Sequence, residues 1–160
     1  MKRLILFCLI FSNSIAFGQQ LSTTFSTDFS RWTYSDYNFR TLFAGDWDNW
    51  TSDGTSIRTN FSNDWDSWKI GNEVTLKTVF SNDFESWEIK GFNKTIRVRA
   101  TFSDDYERWT ISGDADGTIN TVFSKNFERW NIDIDQDNLE DELNKAILFV
   151  AIFTCFQGAK

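Results

Sequence analysis

Closely spaced carboxylates near the C-terminus have the spacing of metal ligands. The stretch "DIDQDN" places Asp133, Asp135 and Asp137 at every second residue, and Asp141 follows at the ninth position. This spacing resembles the start of a Ca²⁺-binding loop, whose oxygen ligands alternate along the chain. The sixth and twelfth positions depart from that loop, because both are Asn where glycine and a bidentate glutamate are expected. We therefore favour the alternative, in which Asp133 and Asp135 are outward strand residues and Asp137 caps a helix.

Paired carboxylates could also cleave glycosidic bonds. Asp83 with Glu85, and Asp105 with Glu107, are the residue types that such hydrolysis needs. However, similar acids recur along the whole chain, whereas an active site needs one singular, desolvated pair. The chain also has no His, which removes the commonest general base and the commonest metal ligand. We expect a protein without catalytic activity, and a carboxylate-dependent glycan-active enzyme is the alternative.

A row of basic residues is the third group that could carry chemistry. Arg40, Arg58, Lys77 and Arg99 each stand three residues before a recurring Phe, and Arg97 lies close to them. On an acidic protein, a basic stripe of this kind could bind an anionic surface glycan or another anionic polymer. The alternative is that these side chains pair with acids and threonines on neighbouring strands.

These residues are carried by a repeat that occurs six times. Each copy begins with a Phe, which we call the anchor Phe: Phe25, Phe43, Phe61, Phe80, Phe102 and Phe123. Seven residues after each anchor stands a Trp: Trp32, Trp50, Trp68, Trp87, Trp109 and Trp130. An Asp, or an Asn in the last copy, follows the anchor by three residues, and an aromatic residue follows it by four. A period near 20 residues indicates an array of one supersecondary unit.

The residues that flank each loop alternate between apolar and polar. Before Phe102, Ile96 and Val98 share one parity, while Arg97 and Arg99 share the other. This period of two predicts half-buried strands, with the anchor Phe and the Trp both on the apolar face. Each copy is therefore predicted to be a strand, a six-residue loop and a second strand. We expect the loop Asp to serve the turn and the loop aromatic to fold beneath it. The alternative is a functional row of aromatics and acids on one rim.

Tight-turn signals such as Asp53-Gly54 and Gly71-Asn72 join successive copies. The sequence therefore predicts an all-β repeat protein, an antiparallel meander of about twelve short strands in six hairpin repeats. Twelve strands exceed the ~10 that an open twisted sheet tolerates, so we expect the sheet to be curled or closed into a barrel. Residues 146–156 are apolar on nearly all sides and predict a helix packed on or inside that sheet.

The N-terminus has the pattern of a secretory signal peptide. A basic start and a short apolar run precede small residues just before Gln19. We therefore divide the chain into a signal peptide (1–18), a six-copy repeat sheet (19–135) and a C-terminal helix (136–160). Neither apolar run reaches the ~20 residues that a spanning helix needs, so we expect no transmembrane segment after signal removal.

The charge balance narrows the expected partners. Without the signal, fourteen basic residues stand against twenty-three acidic ones, which argues against nucleic acid as a partner. We expect an exported protein, periplasmic, extracellular or on the cell surface, that acts as a structural or binding module. Its partner is expected to be an anionic surface glycan or a protein surface. No cofactor is expected, and a Ca²⁺-dependent adhesion module is a further alternative.

Overall fold

The protein is a closed antiparallel β-barrel that surrounds a single helix. The computed structural model describes residues 19–136 and 138–158, so the predicted signal peptide and Asp137 lie outside the described residues. The strands are β1 Gln20–Thr23, β2 Arg31–Tyr34, β3 Tyr37–Thr41, β4 Asn49–Ser52, β5 Thr55–Thr59, β6 Ser67–Ile70, β7 Val74–Thr78, β8 Ser86–Gly91, β9 Lys94–Ala100, β10 Arg108–Gly113, β11 Gly117–Phe123 and β12 Asn126–Ile134, and the helix α1 is Asp141–Gly158. Each strand pairs with its chain neighbours, and β1 pairs with β12 to close the barrel. The predicted twelve-strand meander is confirmed.

The six repeated Trp side chains face the interior. Each of them is fully buried, with 0% of its surface exposed. They alternate along their strands with outward polar residues, as on β10, where Trp109 and Ile111 are buried and Thr110 is exposed. The predicted inward position of the Trp is therefore confirmed. These rings account for much of the apolar area that the barrel removes from water.

Helix α1 fills the space inside the barrel. Its residues Leu143, 146–153 and Cys155 are buried. Phe149 packs edge-on against Trp68, with ring centroids 4.9 Å apart, and Phe153 contacts the same Trp at 4.9 Å. A helix that is apolar on all sides needs an apolar surround, and the ring of inward side chains provides one. The helix is longer than the apolar run, because it continues through Gly158. Over the described residues, no helix combines the length and the hydropathy needed to cross a bilayer.

The two rims of the barrel differ in their connections. Tight turns join each hairpin to the next at one rim, which we call the turn rim. At Asp53-Gly54 both central residues have positive φ, 46° and 85°, as a two-residue type I′ turn requires. The six repeated loops form the opposite rim, which we call the loop rim. Loops 1 to 6 are numbered by copy, and the anchor Phe is position one of its loop.

The prediction that the anchor Phe is buried is wrong. All six anchors are exposed, over 56% to 72% of their surface. The prediction assumed that the strand alternation continues to the anchor, but in most copies the strand ends before it. In five copies the strand ends two residues before the anchor; β5, for example, ends at Thr59 and Phe61 lies in the loop. The pleat no longer sets the side-chain direction there, and the ring is exposed at the edge of the barrel.

Candidate binding surface

Each loop at the loop rim opens with a tight turn of fixed geometry. In loops 1 to 5 the amide of position four donates to the carbonyl oxygen of the anchor Phe, at 3.0 to 3.3 Å. Position three has positive φ in every loop: Thr27, Gly45, Asn63, Asn82, Asp104 and Lys125. A type II turn requires positive φ at this place. In loops 1 to 5 the anchor therefore begins a turn outside the strand, whereas in loop 6 the anchor Phe123 is the last residue of β11.

The repeated acid at position four stabilises its own loop. In loop 3, Oδ1 of Asp64 accepts a hydrogen bond from the amide of Asp66 at 3.2 Å. The same bond recurs in all six loops at 2.9 to 3.2 Å, with Asn126 acting as acceptor in the last. This is an Asx-turn, which explains why the position requires a short side chain with an oxygen. The prediction that this residue serves the turn is confirmed.

The aromatic residue at position five joins the loop to the core. Its carbonyl oxygen accepts a hydrogen bond from the indole Nε1 of the repeated Trp, at 2.8 to 3.0 Å in five copies. Its ring packs on the same Trp; the ring centroids of Phe84 and Trp87, for example, are 5.9 Å apart. Trp109 differs, because its Nε1 is buried and has no hydrogen-bond partner among the described residues. The expected position of these aromatics beneath the loop is confirmed.

The residue at position six links each loop to the next one. The carboxylate of Asp48 accepts hydrogen bonds from the amide of Asn63 at 2.9 Å and from the hydroxyl of Ser62 at 3.1 Å. Asp66, Glu85 and Glu107 make the corresponding bond to the position-three amides of loops 4, 5 and 6. Glu128 bonds back to loop 1, through the amide of Thr27 at 2.7 Å. Five such carboxylates thus connect the loops in a ring that is interrupted only between loops 1 and 2.

These hydrogen bonds also shift the pKa of one rim carboxylate, that of Asp48. Burial alone would raise the pKa of Asp48, but hydrogen bonds from the Asn63 amide, the Trp65 indole and the Ser62 hydroxyl outweigh it and lower that pKa. The four acids considered as catalytic pairs also accept hydrogen bonds from the loop backbone. The carboxylates of Asp83 and Asp105 accept from amides of their own loops. Those of Glu85 and Glu107 accept from amides of the next loops.

The five predicted ligand-binding residues all lie on the outer wall of the barrel. Arg40, Arg58, Lys77, Arg97 and Arg99 are exposed. Among residues 19–136 and 138–158, none of these five forms an ion pair within 4.0 Å. Glu88 lies opposite both Lys77 and Arg97, but its carboxylate pairs with Lys90 at 2.5 Å.

Two of these cations have like-charged neighbours. Arg40 lies directly opposite Arg31, and Arg58 lies directly opposite Lys69. Like charges in directly opposed positions are destabilising. Arg99 differs, because its Nε donates to the hydroxyl of Ser86 at 3.2 Å. The alternative of cross-strand pairing with acids and threonines is met only in part. Thr51 lies opposite Arg40 and Thr110 opposite Arg99, while Glu88 lies opposite Lys77 and Arg97 without an ion pair to either within 4.0 Å.

Two of the anchor Phe rings, those of Phe61 and Phe102, lie close to exposed cations. Phe61 and Lys77 line one shallow hollow between loops 3 and 4, together with Asn60, Asp66, Ser67, Thr78 and Ser81. Between loops 5 and 6, the guanidinium carbon of Arg108 lies 5.8 Å from the centroid of the Phe102 ring. We call this band of anchor rings and basic residues the lateral surface.

The candidate metal ligands are not brought together. Asp133 is exposed on β12 opposite Thr118, and Asp135 is exposed just beyond that strand. Asp141 begins the helix, where its Oδ2 accepts from Nζ of Lys145 at 2.6 Å. In the described part of the chain, no group of three His, Cys, Asp or Glu residues is arranged to hold a metal ion. Asp137 lies outside that part.

Sequence reasoning missed the anchor Phe as a surface residue, although a signal was present. Ser, Asn and Asp follow the anchor directly in loops 3 and 4, and these residue types form turns. A Phe that precedes a turn residue closes the strand and is not constrained by its alternation.

Comparison with known proteins adds no relative. No protein-family model, no curated protein and no solved structure matches this chain.

Proposed function

We propose that this chain is an exported, non-catalytic binding module that holds an acidic polysaccharide against its lateral surface. The observation that carries the proposal is the shared position of exposed anchor rings and unpaired cations on one wall. Contiguous exposed apolar groups are uncommon on soluble proteins and mark interaction sites. Here they recur beside positive charges on a chain whose net charge is −7.

Sugars and aromatic rings are complementary in shape and charge. The faces of an aromatic ring carry partial negative charge, so they attract the positively polarised C–H groups on the face of a pyranose. Phe61 and Lys77 in one hollow therefore offer an apolar platform and a cation to the same residue of a polymer. A carboxylate or sulfate on that sugar would pair with the cation.

The repeat supplies several such contacts in a row. Successive copies are two strands apart, or roughly 10 Å around the barrel. A polymer that engages one copy is held near the next, so weak contacts combine into a larger total affinity. The rim carboxylates accept hydrogen bonds from the loops, and among the described residues none of them lies within 4.0 Å of the five cations.

Calorimetric titration of the purified protein with polygalacturonate, and with neutral dextran as control polymer, tests the proposal. We expect polygalacturonate to bind, dextran to bind far more weakly, and the affinity for polygalacturonate to fall as salt is raised. Combined Phe61→Ser and Lys77→Ser should weaken the binding.

The turn rim provides a matched control for that variant. Phe92 is an exposed Phe at the opposite end of the barrel. Phe92→Ser should leave the affinity for polygalacturonate unchanged, whereas Phe61→Ser alone should weaken it. Equal binding of both polymers, or equal loss in these two single variants, would refute a specific role for the lateral surface.

A further inference from the structure

One of the six places where neighbouring loops meet differs from the other five. We call each place a junction and number it by its two loops. At every junction, position seven of one loop lies directly opposite the residue three before the next anchor. The six pairs are Arg31–Arg40, Asn49–Arg58, Ser67–Lys77, Ser86–Arg99, Arg108–Asn120 and Arg129–Ser22. Five junctions hold one cation in this pair, and junction 1/2 holds two.

The carboxylates show the opposite imbalance. Five junctions contain the position-six carboxylate that bonds to the next loop, whereas junction 1/2 has Ser30 at that position. The Ser30 hydroxyl donates to Asp28 of its own loop at 2.5 Å and so does not extend the ring. Ala44 stands at position two of loop 2, where the other loops have Ser. At these positions, junction 1/2 carries two positive charges and the others carry one of each sign.

An equivalent junction shows how these positions sit together. The hollow at junction 3/4 is lined by the cation Lys77, its opposite residue Ser67, the linking carboxylate of Asp66, and Ser81 of the next loop. By the repeat, Arg40, Arg31, Ser30 and Ala44 occupy the corresponding positions at junction 1/2. The anchor ring that lines the hollow at junction 3/4 is Phe61, and the corresponding anchor of loop 1 is Phe25.

The nearest competing acid does not remove this difference. Nε of Arg31 lies 4.0 Å from Oδ2 of Asp28, and the two side chains are 60% and 36% exposed. A long, solvated pair of this kind contributes little. The same contact recurs between Arg108 and Asp105 at 4.0 Å, so it belongs to the repeat and not to junction 1/2 alone.

The other junctions identify the chemical group that fits. In loops 1, 3, 4 and 5, a carboxylate oxygen lies 2.5 to 2.9 Å from the amide of position three. In loop 2 that amide belongs to Gly45, and no carboxylate of the described residues accepts from it. We propose that junction 1/2 binds the carboxylate of a uronate residue. Its oxygens accept from Gly45 and from the guanidinium groups of Arg31 and Arg40, and its sugar ring packs on Phe25.

This inference rests on the proposed function, which it makes specific: the polymer is a uronate polymer, and junction 1/2 is its strongest point of attachment. A uronate fits better than an acidic peptide, because Phe25 is exposed, corresponds by the repeat to Phe61 in the hollow at junction 3/4, and offers a flat face to a pyranose. The two ideas can fail separately. A monosaccharide reports on one junction, whereas a polymer reports on the whole lateral surface.

The test is an NMR titration of the full protein with glucuronate, followed through the Gly45 amide and the Arg31 and Arg40 side chains. We expect these signals to shift in a saturable manner. Arg40→Ser should weaken glucuronate binding about tenfold or more, because it removes a charge-assisted hydrogen bond. Lys125→Asn removes an exposed positive charge from loop 6 and puts there the residue that loops 3 and 4 have at the same position. It should change glucuronate binding less than about twofold, since it leaves every contact of the site in place.

A second variant tests the same site without removing a cation. Ser30→Glu combined with Ala44→Ser restores the residues of the other junctions, so the new carboxylate should occupy the site and abolish glucuronate binding. The melting temperature of this variant should not fall, which separates loss of binding from loss of fold.

Three results would overturn the inference. They are the absence of saturable shifts at Gly45, equal losses in Arg40→Ser and Lys125→Asn, and tighter binding of hexaglutamate than of glucuronate. If polygalacturonate still binds in the first two cases, only this inference fails. If polygalacturonate does not bind at all, the proposed function fails as well.

Discussion

The loop rim and the turn rim close the same barrel in different ways. At the loop rim, position six of one loop stabilises the turn of the next, and all six copies keep nearly the same sequence. At the turn rim, the connections differ in length and sequence, from the two residues Asp53-Gly54 to the longer stretch 114–116. The loop sequence is therefore repeated where each loop depends on its neighbour, whereas the turns, which depend only on local residues, vary.

The turn rim relies instead on the start of the helix. The side chain of Lys145 is 97% buried, and its Nζ donates hydrogen bonds to Asp141 at 2.6 Å and to Thr55 at 2.9 Å. Lys94 holds Glu140 at 2.8 Å. Tyr37 lies in the same cluster, where burial raises its pKa to about 12, with further raising by the neighbouring Asp141 carboxylate. Helix contacts thus take the place that loop-to-loop bonds have at the other rim.

The largest expected effect comes from the helix that both rims enclose. Ile147 is fully buried in the barrel. Ile147→Asp would place an unpaired charge among Trp and Ile side chains and should lower the free energy of unfolding by more than ~4 kcal/mol. Removal of the chain after residue 137 should expose the barrel interior and cause aggregation. Denaturant unfolding and light scattering measure both outcomes, and a soluble, monomeric truncated chain with unchanged melting would contradict the role of α1.

A pair of substitutions within one copy should separate core from surface. Trp87 is fully buried, so Trp87→Ala should cost ~3–5 kcal/mol of unfolding free energy. Phe80 begins the same loop but is 63% exposed, so Phe80→Ala should change it by no more than about 0.5 kcal/mol. Chemical denaturation of the two variants gives the comparison. Similar losses would mean that the anchor ring is part of the core.

The ring of loop-to-loop bonds predicts a smaller effect that is specific to the loop rim. Glu128 accepts from the hydroxyl of Ser26 at 3.0 Å and from the amide of Thr27 at 2.7 Å, and so joins the last copy to the first. Glu128→Ala should cost ~1–2 kcal/mol, the range for an exposed bond to a charged acceptor. Glu88→Ala removes an acid from the outer wall and serves as control, with an expected change within about 0.5 kcal/mol. Hydrogen exchange at Thr27 should quicken only in the first variant.

The smallest effect concerns the turn rim and alkaline pH. A Tyr that titrates near 10 in the unfolded chain and at about 12 when folded stabilises the fold fully below pH 10. That contribution is lost as the pH rises from 10 to 12, because the unfolded chain gives up the proton first. The melting temperature of the wild type should therefore fall more steeply over this interval than that of Tyr37→Phe. Parallel curves would show that Tyr37 is not coupled to folding.

Much of the architecture could be read from the sequence because it depends on local pattern. The alternation around Arg97 and Arg99 and the turn signal at Asp53-Gly54 were enough to predict strands, hairpins and their order. The all-round apolar character of residues 146–156 was enough to predict a helix packed on or inside the sheet, and the structure places it inside. Trp burial followed from the same alternation.

The lateral surface could be predicted only in part. The outward direction of Arg40 and Arg58 follows from strand parity, but the position of the anchor Phe depends on where the strand ends, and a turn of positive φ at Asn63 decides that. The bond from Glu128 to Thr27 joins residues 101 positions apart. Local pattern contains no information about which loops meet, so neither the ring nor its interruption at Ser30 could be read from spacing alone.

The enclosed helix also restricts how many copies of the repeat the barrel can contain. The width of a β-barrel grows with its strand count, and an α-helix with its side chains is about 10–12 Å across. Tandem repeats in a gene are easily gained or lost by unequal recombination. One unit fewer would narrow the barrel around α1, and one more would leave a gap beside Phe149 and Phe153. The width of α1 thus favours a barrel of six copies over one of five or seven.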